Sequence, residues 1–430
     1  MGIAERLADV LGGDLPVRVE AYDGSRAGPP DAPATVVIRS PDALRRIVTA
    51  PGELGLGRAY VAGDIDLEGD IFAVMDLRHH LAPGAPPADA SAPAPPTDTG
   101  ARTVSARRVL PLLRELRPKM LLPLKPPPEE VRLHGRRHSR RRDAAAISHH
   151  YDVSNDFYRI VLGPTLTYSC AVWESPSVGL DAAQDAKHEL ICHKLGLSSG
   201  MRLLDVGCGW GSLVMHAART RGVRAVGVTI SGQQADLAAK RVTEAGLADQ
   251  VEIRDQDYRD VDDGPYDAIS SVGMFEHVGL ARLQEYFAGL ERLLRPGGRV
   301  LNHAISRPAG DHSTKLARRS FINRYVFPDG ELHEVGAVVS AVQGSGVEVR
   351  HVETLREHYA LTLRAWVSNL ERRWDEAVDL VGPGRARVWR LYMAASAVNF
   401  EANHLQVHQV LGVKTGPDGV SGVALRPQFG

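Results

Sequence analysis

Residues 202–212 read Arg202-Leu203-Leu204-Asp205-Val206-Gly207-Cys208-Gly209-Trp210-Gly211-Ser212, and this stretch decides the fold. A short apolar run gives way to glycines, and a helical pattern follows over 212–221. Glycines, lacking Cβ, let the backbone approach a ligand closely, and the first turn of the following helix offers unbonded N–H groups. Alone this is a weak signal, because many α/β proteins use glycines in such turns for structural reasons only. The downstream pattern strengthens it. Apolar runs at 223–228, 251–254, 266–272 and 299–303 alternate with helical patterns at 233–245 and 283–294, the latter ended by Arg295-Pro296-Gly297-Gly298. Strands alternating with helices of this length predict an α/β domain built on a doubly wound parallel sheet.

Two ligands compete for the turn. A dinucleotide site wants G-x-G-x-x-G and an acidic residue about 20 positions further on to hold a ribose. Here Gly211 follows Gly209 by two positions where three are required, and the second strand ends at Thr229, not at an acid. Both departures disfavour a nicotinamide enzyme. Asp205-Val206-Gly207-Cys208-Gly209-Trp210-Gly211 instead resembles the first motif of class I (Rossmann-like) S-adenosylmethionine-dependent methyltransferases, and the Arg295-Pro296-Gly297-Gly298 turn resembles that fold's late strand entry.

The rest of the chain frames this domain. Its 430 residues suggest two or three domains. Lys plus Arg number 51 against 52 Asp plus Glu, a net charge of -1, which excludes a globally basic nucleic-acid binder. With 43% hydrophobic and 24% charged residues, wholesale disorder is also excluded. Residues 1–81 read as a small α+β unit: 15–22 and 34–39 alternate like strands, Ser40-Pro41-Asp42 opens a helix, a β-like pattern resumes around Ala59-Tyr60-Val61, and a short helix covers 69–80. Residues 82–144 read as a linker, first rich in Ala and Pro and then in Arg, and 145–430 as one large domain with helical additions to its sheet. Within the linker, 132–143 carries six Arg and two His. The bland reading is a solvated connector. The functional reading is attraction to an anionic bilayer, worth roughly 1 kcal/mol per basic side chain. Cys170, Cys192 and Cys208 form no CxxC pair and cannot build a disulfide framework, which suits a reduced, cytoplasmic setting. The first twenty residues lack the apolar core of a signal peptide, and no uninterrupted apolar stretch reaches the roughly 18 residues of a spanning helix. Membrane contact is therefore expected to be peripheral, at the inner face of the cell membrane.

Further motifs narrow the resemblance. His150-Tyr151-Asp152-Val153-Ser154-Asn155-Asp156-Phe157-Tyr158 and Thr167-Tyr168-Ser169-Cys170-Ala171 precede the glycine turn, and Gly227-Val228-Thr229-Ile230-Ser231 with Gln234 follow it. Gly273-Met274-Phe275-Glu276-His277-Val278-Gly279, Leu301-Asn302-His303-Ala304-Ile305 and Glu357-His358-Tyr359 come next. In this order, across about 145–412, they resemble the cyclopropane-fatty-acyl-phospholipid synthase family, lipid methyltransferases that include the mycolic-acid cyclopropane synthases. Residues 1–80 resemble, far more loosely, the small lipid-associated domain of its phospholipid-acting members. The resemblance implies a site for S-adenosylmethionine: Tyr168 and Ser169 touching it, Asp205, Gly207 and Gly209 at the glycine turn by its methionine end, and Thr229, Ile230, Ser231 and Gln234 facing ribose and adenine. It also implies a bicarbonate ion held by Cys170, Glu276, His303, Ile305 and Tyr359, with Cys170 and Ile305 giving backbone N–H groups. The structural alternative for each is real, since a Glu in Phe-Glu-His can cap a helix and a His at a strand end is commonly just a satisfied polar group. Cys170 has no support as a nucleophile.

These groups suit the implied chemistry. An isolated alkene is a poor nucleophile, so the donor methyl must be held in line with it, and positioning can lower a barrier by roughly 7–11 kcal/mol. The resulting carbocation needs a dry, apolar pocket. Proton loss from the new methyl closes a cyclopropane, whereas loss from a chain carbon leaves a methylene. Apolar stretches at 157–166, 321–327, 360–380 and 386–403 are candidate acyl-chain lining, although core packing is the better default for them, as it is for Trp366, Trp374 and Trp389. Residues 321–330 are expected to form a lid or substrate-side loop. The implied partners are unsaturated phospholipid acyl chains, an anionic membrane surface and a second copy of the chain. Two other classes stay open at this point: a non-catalytic lipid-binding protein on a methyltransferase scaffold, and a methyltransferase acting on a small polar molecule or a protein.

Overall fold

A computed structural model describes residues 1–11, 15–77, 122–131, 154–310, 320–328 and 330–429. Most of the expected linker, and His150 to Val153 of the first motif, lie outside the described residues. The chain forms two compact units. The first gathers residues 1–131, 318–326 and 381–398; the second holds 132–317, 327–380 and 399–430. The sequence reading drew its boundary once, near the linker, but two later segments return to the first unit.

In the first unit, β1 (Arg18–Ala21), β2 (Arg26–Ala27), β3 (Ala34–Ile38) and β4 (Ile65–Gly69) form a sheet in the order β2-β1-β3-β4. The helix Pro41–Thr49 starts where Ser40-Pro41-Asp42 predicts. The β-like pattern expected around Ala59-Tyr60-Val61 is corrected: Glu53–Val61 is a helix. Its glycines explain the error. A Cβ on Gly55 would meet the Ala50 carbonyl oxygen at 2.3 Å, and one on Gly57 would meet the Phe321 ring at 2.4 Å. The glycines are there for close packing, and that packing outweighs their poor helix propensity. The expected lid or substrate-side loop at 321–330 begins as a helix instead of a loop and divides between the units after Val326. Phe321–Tyr325 is a short helix of the first unit, capped by Ser320, and both Phe321 and Tyr325 are buried. The expected acyl lining at 386–398 likewise belongs to the first unit. The last described linker residues are built in: Arg58 makes a bidentate pair with the buried Glu130 carboxylate at 2.7 Å to each oxygen.

The second unit is the predicted α/β domain. Strands β5 (Arg202–Val206), β6 (Arg224–Thr229), β7 (Val251–Asp255), β8 (Tyr266–Val272), β9 (Leu294–Arg307), β11 (Glu348–Thr354) and β12 (Gln406–Val413) lie in the order β11-β12-β9-β8-β5-β6-β7, with β10 (His333–Glu334) pairing β9 to one side. Strands β5 to β9 pair in parallel, while β12 runs antiparallel between β9 and β11. Alternation along β5 feeds two cores. Leu203 joins Ile191, Leu195 and Val214 on one face, and Leu204 and Val206 join Phe287, Leu290 and Val300 on the other. Each fully buried aliphatic side chain of this kind contributes roughly 1.5–3 kcal/mol. The helices Ser212–Arg221, Gly232–Glu244 and Leu283–Leu293 form where expected. The turn expected at Arg295-Pro296-Gly297-Gly298 is instead absorbed into β9. The register to β8 shifts between Tyr266 and Ala268, so these residues form an irregularity in a longer strand. Among the described residues, no helix is long and apolar enough to cross a membrane.

Candidate active site

The cavity of the second unit opens at the ends of β5, β6 and β8, the carboxyl edge where a doubly wound sheet takes its ligand. Gly207, Gly209 and Gly211 all have positive φ, at 82°, 54° and 79°. The Gly207 and Cys208 N–H groups both donate to the Val228 carbonyl, so the turn is tied to β6. A Cβ on Gly209 would meet nothing within 4 Å, leaving the backbone open to a ligand, whereas one on Gly207 would strike Met274 at 2.7 Å. The turn is thus a cradle of the kind a cofactor fills.

Eight of the nine predicted cofactor residues line the cavity: Tyr168, Ser169, Asp205, Gly207, Gly209, Thr229, Ile230 and Gln234. Ser231 does not. Its hydroxyl caps the helix Gly232–Glu244 by accepting from the Gln234 N–H at 3.4 Å, so it shapes the loop from behind. The Thr229 hydroxyl donates to Gln234 Oε1 at 2.9 Å and presents both side chains together. The Asp205 carboxylate accepts from the Ser270 hydroxyl at 2.7 Å, and burial pushes its pKa up to about 6. Aromatic side chains wall one side, with Tyr158 4.6 Å from Trp210 and Tyr168 5.3 Å from Trp366 between ring centres.

The predicted oxyanion ligands do not line this cavity; they gather beside it. Ser169 lines it and Cys170 follows directly, and Gly273 lines it while its N–H donates to the His303 carbonyl. Glu276, on the turn Phe275–His277, accepts the Ile305 N–H at 2.7 Å. Ile305 pairs in register with Val407, whose carbonyl accepts from Leu355 N–H. The Leu355 carbonyl in turn faces Cys170 Sγ at 3.6 Å and accepts from the Tyr359 N–H at 3.1 Å. Hydrogen bonds and strand pairing thus link Glu276, Ile305, Cys170 and Tyr359, and His303 lies two residues before Ile305 on the same strand. The Ile305 N–H, expected to face an ion, is engaged by Glu276. Burial raises the Glu276 carboxyl pKa and pushes the Cys170 thiol far up, which disfavours a thiolate at Cys170.

Sequence reasoning missed the residues that orient His303. Gln409 lies opposite it across β9 and β12, and its Nε2 stands 3.1 Å from His303 Nδ1. Lys194 donates to Gln409 Oε1 at 2.7 Å. An ammonium can only donate, so the amide oxygen faces Lys194 and the amide N–H₂ faces the imidazole. Nδ1 then accepts, and the proton of the neutral ring sits on Nε2. Burial holds the ring neutral by pulling its pKa down to about 3. Glu276 Oε2 and His303 Nε2 are both buried with no hydrogen-bond partner among the described residues. Lys187 was missed as well: it lines the cavity and donates to the Ser169 hydroxyl at 2.9 Å. Its signal was present. Gln184, Lys187 and His188 interrupt the buried stripe Ala183, Ile191, Leu195 of the helix Leu180–Leu195, at spacings that place them on the apolar face.

This fold and cavity define an S-adenosylmethionine-dependent methyltransferase. The profile of the mycolic acid cyclopropane synthetase family matches residues 138–410, and the chain belongs to that family. A probable fatty acid methyltransferase of Mycobacterium tuberculosis is 46% identical over 421 residues, 96% of this chain and 95% of that one. The cyclopropane-fatty-acyl-phospholipid synthase of Escherichia coli is 35% identical over 389 residues, 90% of each. Among solved structures, mycolic acid cyclopropane synthase CmaA1 complexed with SAH and CTAB superposes with a TM-score of 0.59 at 33% identity, covering 63% of this chain and 97% of that one.

Proposed function

We propose that the enzyme transfers a one-carbon unit from S-adenosylmethionine to the cis double bond of an unsaturated fatty acyl chain of a phospholipid and closes it to a cyclopropane. Modification of a fatty acyl chain follows from the family, and the Escherichia coli relative, named for a phospholipid substrate, is similar over 90% of this chain. The observation that carries the finer reading is that Glu276 Oε2 and His303 Nε2 are buried without a hydrogen-bond partner among the described residues, on residues close to the cavity-lining Gly273.

S-Adenosylmethionine supplies an electrophilic methyl group. The chain's own residues do the rest. The open backbone at Gly209 and the side chains of Thr229 and Gln234 receive the donor. This chemistry requires that water be kept from a carbocation on the acyl chain, which would otherwise become an alcohol. Glu276 and His303 offer one acceptor and one N–H donor at buried positions, which fits a small oxyanion. Bicarbonate would supply a weak base there, with Glu276, His303, Tyr359 and the Cys170 backbone as its surroundings, while the Ile305 N–H holds Glu276. Held in this way, Glu276 can fix the proton acceptor in one place without itself being a free base.

A second product is favoured by names among the relatives. The protein at 46% identity is a probable fatty acid methyltransferase, and a tuberculostearic acid methyltransferase of Mycobacterium tuberculosis is 36% identical over 428 residues. The same transfer with a proton lost from a chain carbon gives a methylene group of equal mass. Proton NMR of lipids from cells expressing the enzyme separates the two: cyclopropane methylene signals support the first reading, and terminal =CH2 signals, distinct from the internal CH=CH of unreacted chains, replace it with the second. Glu276→Gln should lower turnover about 100-fold, the scale of a lost general-base or orienting group, with S-adenosylhomocysteine affinity unchanged. Equal turnover would remove Glu276 from the site. We further propose that the enzyme works at the cytoplasmic face of a membrane and that the arginines of 132–143 attract it to anionic lipid; vesicle binding that ignores salt would contradict this.

A further inference from the structure

The helices Leu180–Leu195 and Ser212–Arg221 pack side by side in the second unit and bring together three side chains that the transfer does not use. Asp185 and His188 lie three residues apart on the first helix, a spacing that puts two side chains on one helical face. His216 comes from the second helix, with its ring centre 5.4 Å from that of His188. One ligand atom from each residue, a carboxylate oxygen and two imidazole nitrogens, lies within 4.8 Å of the other two. Donor atoms about 2.1 Å from one tetrahedral ion stand roughly 3.4 Å apart. The exposed Asp185 carboxylate and the half-buried His216 ring can close that difference by side-chain rotation.

Two independent observations point to a ligand. His188 is 2% exposed, and its Nε2 is buried with no hydrogen-bond partner among the described residues. An orphaned ring nitrogen there is costly unless something bonds or coordinates it. His216, for its part, is held as metal-binding histidines are held. Its Nε2 stands 3.3 Å from Glu189 Oε2, and Glu189 is itself anchored by Arg221. An ionised carboxylate can only accept, so Nε2 carries the proton and Nδ1 keeps its lone pair. A carboxylate behind an imidazole fixes the tautomer and raises the basicity of the ligating nitrogen. Asp185 completes the set, with no hydrogen bond or salt bridge among the described residues.

The donor set selects the ion. Two imidazoles and one carboxylate suit zinc and its neighbours in the first transition series, whereas magnesium and calcium want a shell of oxygens. Lys187, Arg219 and Arg241 add positive charge around the two rings, which further disfavours a hard cation held by charge alone. We propose that Asp185, His188 and His216 form a site for a zinc-type divalent cation, which clips the helix Leu180–Leu195 to the helix that follows the glycine turn. His188 also lines the donor cavity while Asp185 and His216 do not, so the ion belongs to the cavity wall and not to the donor's own space. Three protein ligands leave a fourth position for water. The site takes no part in the transfer and stands whether or not the lipid reading holds.

Calorimetry with zinc chloride on the full-length chain, freed of metal by a chelator, tests it. The wild type should take up one zinc ion per chain, and its melting temperature should rise with zinc but not with magnesium at the same concentration. His216→Gln and Asp185→Asn, neither of which touches the lining of the donor cavity, should each weaken zinc at least about 10-fold, since loss of even an outer partner of a metal ligand costs about 10- to 100-fold. Both variants should melt like the wild type when the chelator is present, which separates loss of the ion from loss of the fold. Cobalt, used as a coloured stand-in, should give visible absorption bands in the wild type that fade in both variants. His404→Gln, at an exposed histidine outside the cluster, should keep its zinc affinity. An equal loss there would mean scattered surface binding and overturn the proposal. Zinc affinity that survives His216→Gln and Asp185→Asn would place the ion elsewhere on the chain and overturn it too, as would a wild type whose melting temperature ignores zinc.

Discussion

Gln409→Glu isolates the orientation of His303 from everything else in the site. The wild-type amide accepts from Lys194 at 2.7 Å and donates toward His303 Nδ1 across 3.1 Å, and all three residues are buried. A carboxylate of the same shape keeps the Lys194 contact but has no proton to offer Nδ1. The ring proton must then move from Nε2 to Nδ1, and the buried, unpartnered Nε2 changes from donor to acceptor. If Nε2–H stabilises an oxyanion, its loss should lower turnover about 10²- to 10³-fold, or roughly 2.7–4 kcal/mol in the barrier. S-Adenosylhomocysteine affinity should hold, because Gln409 does not line the donor cavity. The melting temperature should also hold, because Lys194 exchanges an amide oxygen for a carboxylate. Nitrogen-15 NMR of histidine-labelled enzyme reads the tautomer directly, with the Nδ1 and Nε2 signals of His303 exchanging their protonated and unprotonated positions. Wild-type turnover in the variant, or a tautomer that does not move, would refute the reasoning. Gln409→Leu is the harsher control: Lys194 keeps its ion pair with Glu353, but His303 Nδ1 loses its donor, and the fold should be destabilised by about 1–3 kcal/mol in urea titrations.

Two further outcomes follow from the same geometry. Gly207→Ala forces a Cβ to within 2.7 Å of the Met274 Cβ at a φ of 82° and should abolish detectable cofactor binding, whereas Gly209→Ala meets no atom and carries only the left-handed strain of about 1–2 kcal/mol; calorimetry that ranks them the other way would show the cradle is misplaced. Acid should destabilise the wild type through His303, whose pKa falls from 6.5 to about 3 on folding. The folded ring stays neutral while the unfolded one protonates, so its contribution is present above pH 6.5 and is lost as pH falls toward 3. Asp205, raised from 3.8 to about 6, opposes this by binding its proton more tightly when folded. Urea midpoints for wild type and His303→Asn, compared between pH 7 and pH 5, isolate the histidine as the difference; parallel curves would mean it is not buried neutral.

The sequence by itself determined what is local. The β-turn-α unit around Gly207 was legible because an apolar run, a set of glycines and a helical period each report on neighbouring residues. The doubly wound sheet followed from repetition of that unit, and the ordered motifs located eight cavity-lining residues. Only the tertiary structure decided the rest. The pattern around Ala59-Tyr60-Val61 reads as β-like until the packing of Gly55 and Gly57 is known, because glycine lowers intrinsic helicity while enabling close contact. Residues 318–326 and 381–398 return to the first unit through contacts that no local pattern announces. Lys194 and Gln409, far apart in the chain, meet because β12 inserts antiparallel beside β9. Lys187 reads as an ordinary helix lysine until the sheet buries it. Charge burial, tautomer choice and orphaned polar atoms are properties of a surrounding volume, and that volume exists only after distant segments have packed.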